Sequence, residues 1–92
     1  MEKLELEVYS QAPNAAVVRA PHRRFPGVVV QGDTLSVLHA SAAAVAEHVR
    51  DGADEDLTFE AAMLRDQLAG LLAAYESAMD DHGLALPYSR AV

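Results

Sequence analysis

Hydrophobic and polar residues alternate in the first third of the chain, which is the pattern of short β-strands. In residues 3–9 every second position is a leucine or a valine. A second strand is predicted at 15–19 and a third at 28–30, where three consecutive valines suit the centre of a sheet or a strand covered on both faces. We therefore expect a small sheet within residues 3–31.

A helical period replaces this alternation in the rest of the chain. Apolar residues recur at spacings of three and four over residues 34–50 and 57–82, which predicts two helices, each with one apolar stripe. The stripes consist of Leu35, Leu38, Ala42, Val45 and Val49 on the first helix and of Leu57, Ala61, Leu64, Leu68, Leu71, Tyr75 and Met79 on the second. The first helix has no charged residue between Leu35 and Ala46, a pattern typical of a helix covered on two sides. At ~1.5 Å per residue the second helix is roughly 38 Å long, so part of it is available to a partner.

These elements predict one α+β domain over residues 1–92, in the order β-β-β-α-α. The expected architecture is a three-stranded antiparallel sheet with two helices packed on one face. An extended tail is predicted at 84–92.

Turn and capping residues mark the boundaries of the predicted elements. They are Pro26, Gly27, Gly32, Asp33, Thr34 and Gly83. Gly27 and Gly32 permit turns that other residues resist, and Asp33 or Thr34 is expected to cap the first helix by accepting a backbone N–H. Gly83 is expected to end the second helix as its C′ residue, with Leu84 as the following hydrophobic contact.

Composition and charge narrow the classes of function. The chain is 51% hydrophobic and 23% charged, as in a globular domain, and it contains no cysteine, which fits a reducing compartment. No signal peptide or membrane span is predicted, so we expect a cytoplasmic protein. The net charge of −7 falls on residues 34–92, so nucleic acid is not expected as a partner and a basic protein is favoured.

The pattern of reactive side chains predicts no catalytic residue, metal site or cofactor. His39 and His48 are nine residues apart and lie on opposite sides of one predicted helix, so they cannot share a metal ion within the chain. Asp33, Ser36 and His39 crowd one helical turn, but nothing near them supplies a nucleophile elbow or an oxyanion hole.

Two sets of residues are candidates for interaction. The first is a positive cluster on or beside the loop between the second and third strands, Arg19, His22, Arg23 and Arg24. Its arginines either pair with Glu5 or Glu7 across the sheet or contact an anionic partner. The second set is a row of small residues on the second helix, Gly70, Ala74 and Ala78. These are either small surface residues or the seat of a close helix–helix contact across a dimer.

One segment resembles a known family. Pro26-Gly27 is followed by three strand residues and then by Gln31-Gly32-Asp33-Thr34-Leu35 at a helix start. This spacing resembles the HicB antitoxins of HicAB toxin–antitoxin pairs, over about residues 15–50. The resemblance implies a degenerate ribonuclease-H-like fold, in which a helix lies across a small antiparallel sheet. The whole chain is also similar to a family of small bacterial proteins of unknown function, with the pattern Asn-Ala-Ala-Val-Val-Arg followed by Arg-Phe-Pro-Gly-Val-Val-Val-Gln-Gly-Asp.

The function expected from the sequence is therefore a non-catalytic protein-interaction module of a regulatory, antitoxin-like kind. Its partner would be another protein or a second copy of the chain, bound through the helical surface or a sheet edge. The alternatives are a small ligand-binding or RNA-binding protein, or a minor enzyme, that uses the loop at 19–24.

Overall fold

The computed structural model describes residues 1–12, 15–52 and 54–90. It contains five elements: β1 (Glu7–Ser10), β2 (Ala16–Arg19), β3 (Gly27–Val29), α1 (Gly32–Arg50) and α2 (Glu55–Asp81). The predicted α+β class and element order are confirmed. Residues 13 and 14 of the predicted first turn and residues 91 and 92 of the predicted tail lie outside the described residues.

The chain divides into a sheet unit, residues 1–31, and a helical unit, residues 32–92. The predicted packing of both helices on one face of the sheet stays a prediction.

The sheet is an antiparallel meander in the order β1-β2-β3. The predicted central or doubly covered position of the valine run at 28–30 is wrong, because β3 is an edge strand and its residues are exposed. Two successive hairpin connections place β2 in the middle, and the half-buried residues of the sheet lie on β2. A continuous apolar run does not by itself distinguish an edge strand from a central one.

The first strand is shorter than its alternating pattern indicates. It begins at Glu7, which pairs with Arg19, the last residue of β2, so Leu4 and Leu6 have no strand opposite them. The register also shifts between Val8 and Ser10, which is the signature of a β-bulge at Tyr9. The length of β2 therefore limits the pairing of β1.

Helix α1 begins two residues earlier than its predicted start at residue 34. Gly32 is its first residue, so Asp33 and Thr34 lie inside the first turn instead of at the N-cap. The Asp33 carboxylate accepts the backbone N–H of Thr34 at 2.8 Å. Asp33 still provides an acidic group where the exposed N–H groups of a helix favour negative charge.

Asp54 is the N-cap of α2 and explains why this helix begins at residue 55 instead of 57. Its backbone is extended, and its carboxylate accepts the N–H of Leu57 at 3.0 Å. The hydroxyl of Thr58 donates to the carbonyl of Asp54 at 2.9 Å and to that of Val49 at 3.0 Å. These bonds join the end of α1 to the start of α2.

Replacing Asp54 with alanine should lower the free energy of unfolding by about 1 kcal/mol, because an N–H of the first turn loses its acceptor. Asp56→Ala is the matched control, since Asp56 lies in the same turn but does not cap it. We expect the control to lose only about 0.3 kcal/mol of charge–dipole stabilisation. Urea unfolding followed by circular dichroism measures both, and equal losses would contradict the capping role.

Gly83 ends α2 in a Schellman motif. Its φ is +65°, in the left-handed region that favours glycine. The N–H of Gly83 donates to the carbonyl of Asp80 at 3.1 Å, and the N–H of Leu84 donates to that of Met79 at 2.9 Å. These are the paired bonds of a Schellman stop, and they redirect the chain at the end of the helix.

The two helices form an antiparallel hairpin with a narrow seam. The buried residues along it are Gly32, Leu35, Ala42 and Ala46 of α1 and Ala61 of α2. Glycine and alanine make up four of these five residues, and such small side chains permit a close approach of the helix backbones. Leu35, 8% exposed, is the only large apolar side chain that is buried among the described residues.

Candidate functional site

One side of the helical hairpin carries a row of large apolar side chains. They belong to Leu38, Val45, Leu57, Leu64 and Leu71, and each is exposed. We call these five residues the leucine face. On α2 they are seven residues apart, so successive members shift by only about 20° around the helix and stay on one side.

A shallow groove lies between the helices on this side. It has a volume of about 410 Å³ and is lined almost entirely by apolar atoms, including those of Leu38, Val45, Leu64 and Leu68. A second depression of about 470 Å³ adjoins it around Leu57 and shares Val45 and Leu64. Together they form one continuous apolar surface, and its polar groups are Ser41, Glu60 and Gln67.

The leucine face arises from the alanine seam. The sequence pattern predicted one inner stripe on each helix, which included Leu38 and Val45 with Leu35 and Ala42. In the structure the stripe divides, because Ala42 and Ala46 meet α2 directly and the larger side chains lie beside the seam. The seven-residue spacing of Leu57, Leu64 and Leu71 is a sequence signal for an apolar row, but Ala61, Leu68 and Tyr75 have the same spacing. Spacing alone therefore does not separate the face from the core.

The opposite side of the hairpin is covered in part by the chain after α2. A groove of about 720 Å³ lies there between Ala40 and Ala43 of α1, Ala73 of α2 and the segment 88–90. The Tyr88 hydroxyl donates to the Glu76 carboxylate at 2.8 Å. The Arg90 guanidinium donates to both oxygens of Asp80, at 2.7 and 2.8 Å.

These contacts hold the segment 88–90 against α2 and place its charges in pairs. Partial burial and the bond to Glu76 raise the pKa of Tyr88 to about 12. The hydrogen bond to Asp80 raises the pKa of Arg90 further above its ordinary value. The sequence predicted an extended tail but not these contacts, because each joins residues ten or twelve positions apart.

The positive cluster on the sheet unit is divided among local contacts. The Arg19 guanidinium binds the carboxylate of its cross-strand partner Glu7, with Nε at 2.6 Å and Nη2 in a second contact. This bond raises the pKa of Arg19. Arg24 lies over the ring of Phe25, 5.3 Å from its centroid, a cation–π distance.

Residues 20–23 form the turn between β2 and β3, with Pro21 at its second position and His22 at its third. The N–H of Arg23 donates to the carbonyl of Ala20 at 3.2 Å, and His22 has a φ of 68°. A proline at the second position and a positive φ at the third are the features of a type II turn. Arg19 thus lies at the end of β2, and Arg23 and Arg24 lie on the loop that follows it. Arg19 has its partner on β1, and Arg24 contacts the neighbouring Phe25.

Pro26 and Gly27 lead from this loop into β3, where Gly27 pairs with Val18. Neither a close contact nor a positive φ requires a glycine at residue 27. Gly32, in contrast, lies where the ring of Tyr75 occupies the space that a Cβ would take. The sequence assigned Gly32 to a turn, and the structure gives it a packing role.

Gly70, Ala74 and Ala78 lie on the exposed surface of α2. The space that a Cβ on Gly70 would take has no atom of the described residues within 4 Å, apart from its own helix backbone and chain neighbours. Ala78 is seven residues beyond Leu71 and Ala74 is three beyond it, so both continue the leucine face toward the end of α2. A partner helix on this row stays a prediction.

The other reactive side chains take local roles. His48 contacts the carbonyl of Ala44 at 2.9 Å in the same helix, and His82 is the C-cap residue of α2. No hydrogen bond joins Asp33, Ser36 and His39 in the described part of the chain. No group of three potential metal ligands converges among residues 1–12, 15–52 and 54–90.

Neither helix has the length and apolar content needed to span a bilayer, as far as the described residues extend. No curated protein and no solved structure matches the chain. The model of the family of unknown function DUF6959 matches residues 1–88, which agrees with the predicted likeness to a family of small proteins of unknown function. The HicB-like core stays a prediction. The match extends over most of the chain, which therefore belongs to the family of unknown function DUF6959.

Proposed function

We propose that this protein is a non-catalytic interaction module that binds another polypeptide through the leucine face of its helical hairpin. The observation that carries the proposal is the continuous apolar surface around Leu64, with grooves of about 410 and 470 Å³. Exposed apolar surface of this extent on a helix pair is typical of a protein–protein contact.

The distribution of charge supports a protein partner. The net charge is −7, yet the five residues of the leucine face are uncharged, and Glu60 is the charged residue in the lining of the two grooves. Charged residues are depleted from the centres of protein interfaces and are common at their rims. The resemblance of residues 15–50 to HicB antitoxins also favours a protein partner and a regulatory, antitoxin-like role.

The rival use of the Arg19–Arg24 loop for RNA has less support. Arg19 is held by Glu7 and Arg24 by Phe25, so binding a phosphate would have to compete with contacts already made. RNA binding would weaken steeply with salt, because it releases counterions, whereas an apolar contact would not. The Arg23→Ala/Arg24→Ala variant should accordingly retain binding to the native partner.

Site-specific photo-crosslinking in the native host tests the proposal. A photoreactive residue at position 64 should give a crosslinked polypeptide, because Leu64 lies at the centre of the leucine face. The matched control is position 66, which is exposed on the same helix but about 200° away around its axis. A product at position 64 alone supports the proposal. Equal labelling at both positions, or none at position 64, would overturn it.

A further inference from the structure

We infer that the occupant of the leucine face is a second copy of the same chain, docked with its α2 antiparallel to the first. This inference rests on the proposed function and specifies its partner. It starts from the row Leu57, Leu64, Leu71 and Ala78, which repeats every seven residues along α2. A seven-residue apolar repeat is the pattern by which two helices pair along a shared apolar interface.

The sizes of the side chains in this row select an antiparallel register. The row has a leucine at its N-terminal end and alanine at its C-terminal end, with Ala74 beside Ala78. If two copies run in opposite directions and overlap fully, Leu57 of each lies over Ala78 of the other. Leu64 then lies beside the other copy's Leu71, and the twofold axis passes between residues 67 and 68. At both ends of the dimer interface, a leucine of one copy therefore meets an alanine of the other.

The surface available is close to what a stable dimer needs. From Leu57 to Ala78 the row is ~32 Å long at ~1.5 Å per residue. Two helices whose axes are 8–10 Å apart present a face ~20 Å wide. The resulting footprint of about 600 Å² approaches the ~800 Å² per partner of a standard interface.

The distribution of charge is also consistent with self-association. Residues 61–64 and 67–75 of α2 bear no charge, and Glu60 is the charged residue in the lining of the two grooves. Two chains of net charge −7 therefore meet along a surface that is largely uncharged. Further acidic residues lie at the ends of the overlap, where Glu55 and Asp56 of one copy come near Asp80 and Asp81 of the other. Salt screens this repulsion, so the dimer should tighten with ionic strength, whereas a complex with a basic protein would weaken.

Cysteine crosslinking tests the register without background, because the chain has no cysteine of its own. The Leu57→Cys/Ala78→Cys double variant should form a covalent dimer on mild oxidation. Its two positions are ~32 Å apart on one helix and cannot bridge within a chain. Each single variant should stay monomeric under the same conditions, since an antiparallel pair separates its two identical positions. Crosslinking of the single variants, or none of the double variant, would overturn the proposed arrangement.

Analytical ultracentrifugation of the purified chain tests the occupant itself. The 9.8 kDa chain should sediment as a dimer. Leu64→Asp should raise the dissociation constant of the dimer at least ~100-fold, because a carboxylate would be buried at the dimer interface. Leu71→Asp serves as a second variant, and Val37→Asp, an equivalent change at an exposed apolar site off the face, is the control. Circular dichroism checks that each variant folds.

A strict monomer at all concentrations would overturn the second-copy inference. If photo-crosslinking at position 64 then captures a different polypeptide, the proposed interaction function stands while the dimer fails. If the chain is monomeric, and position 64 is inaccessible to labelling reagents and gives no crosslinked product, another part of the same chain covers the leucine face. That result would overturn both proposals. The three outcomes are distinct, so each identifies which proposal it removes.

Discussion

Leu35→Ala should destabilise the helical unit by about 2–5 kcal/mol, the range observed when a buried leucine is truncated in a packed core. Leu35 is 8% exposed, and the other buried apolar residues in the described chain are alanines. They cannot close the cavity that the lost side chain leaves, because their methyl groups are too short. A domain of this size has a free energy of unfolding of only about 5–10 kcal/mol, so the loss would be a large fraction of it.

The matched control for Leu35→Ala is Leu4→Ala. Leu4 precedes β1 and is 65% exposed, so the same change there should alter the free energy of unfolding by no more than about 0.5 kcal/mol. Urea unfolding followed at the helix band measures both variants, at one protein concentration because dimerisation contributes to apparent stability. Equal effects at residues 4 and 35 would show that Leu35 is not the central packing residue of the hairpin.

The sequence predicted the class and order of the elements because each has a clear local signal. Alternation predicts β1, the apolar spacing of three and four predicts α1 and α2, and Gly83 predicts the end of α2. These signals act over one or two turns of chain. The Schellman motif at Gly83, for example, needs only the residues from Met79 to Leu84.

What the sequence did not predict depends on contacts between distant residues. The length of β1 depends on where β2 ends, and the edge position of β3 depends on the connections. The division of each apolar stripe into seam and face depends on which alanines meet across the hairpin. Periodicity gives the side of a helix that is apolar, but it does not show how much of that side a single neighbour covers.

The same limit applies to the candidate site. The leucine face consists of residues that the stripe pattern assigned to the core, such as Leu38 and Leu64. Pairing of an arginine with Glu7 was one of the two alternatives for the positive cluster, whereas the contact of Arg24 with Phe25 was not predicted. Gly70, Ala74 and Ala78 were recognised as a row, while their continuity with Leu71 follows from the exposed position of that leucine.

Gly32→Ala should destabilise the helical unit by about 1–3 kcal/mol, although alanine is the better helix former. A Cβ at residue 32 would lie 2.6 Å from the hydroxyl oxygen of Tyr75 and closer still to two of its ring carbons. The ring must move for a methyl group to fit, and the start of α1 then loses its packing against α2. Thermal or urea unfolding measures the loss.

The matched control is Gly70→Ala, where the added methyl group meets no atom within 4 Å among the described residues. That variant should be more stable than the parent by about 0.5–1 kcal/mol, because alanine replaces glycine within a helix. Glycine-to-alanine substitution should thus lower the free energy of unfolding at residue 32 and raise it at residue 70. A loss of stability at both sites would mean that the close approach of Tyr75 is not the cause.

A double-mutant cycle separates the steric cost at Gly32 from helix propensity. In the Tyr75→Ala variant the ring is absent, so Gly32→Ala should stabilise the protein, as we expect of Gly70→Ala. The difference between the two backgrounds is the interaction energy of the pair, expected at about 2–3 kcal/mol. If Gly32→Ala lowers the free energy of unfolding equally in both backgrounds, the backbone at the start of α1 is the reason for the glycine, and the ring of Tyr75 is not.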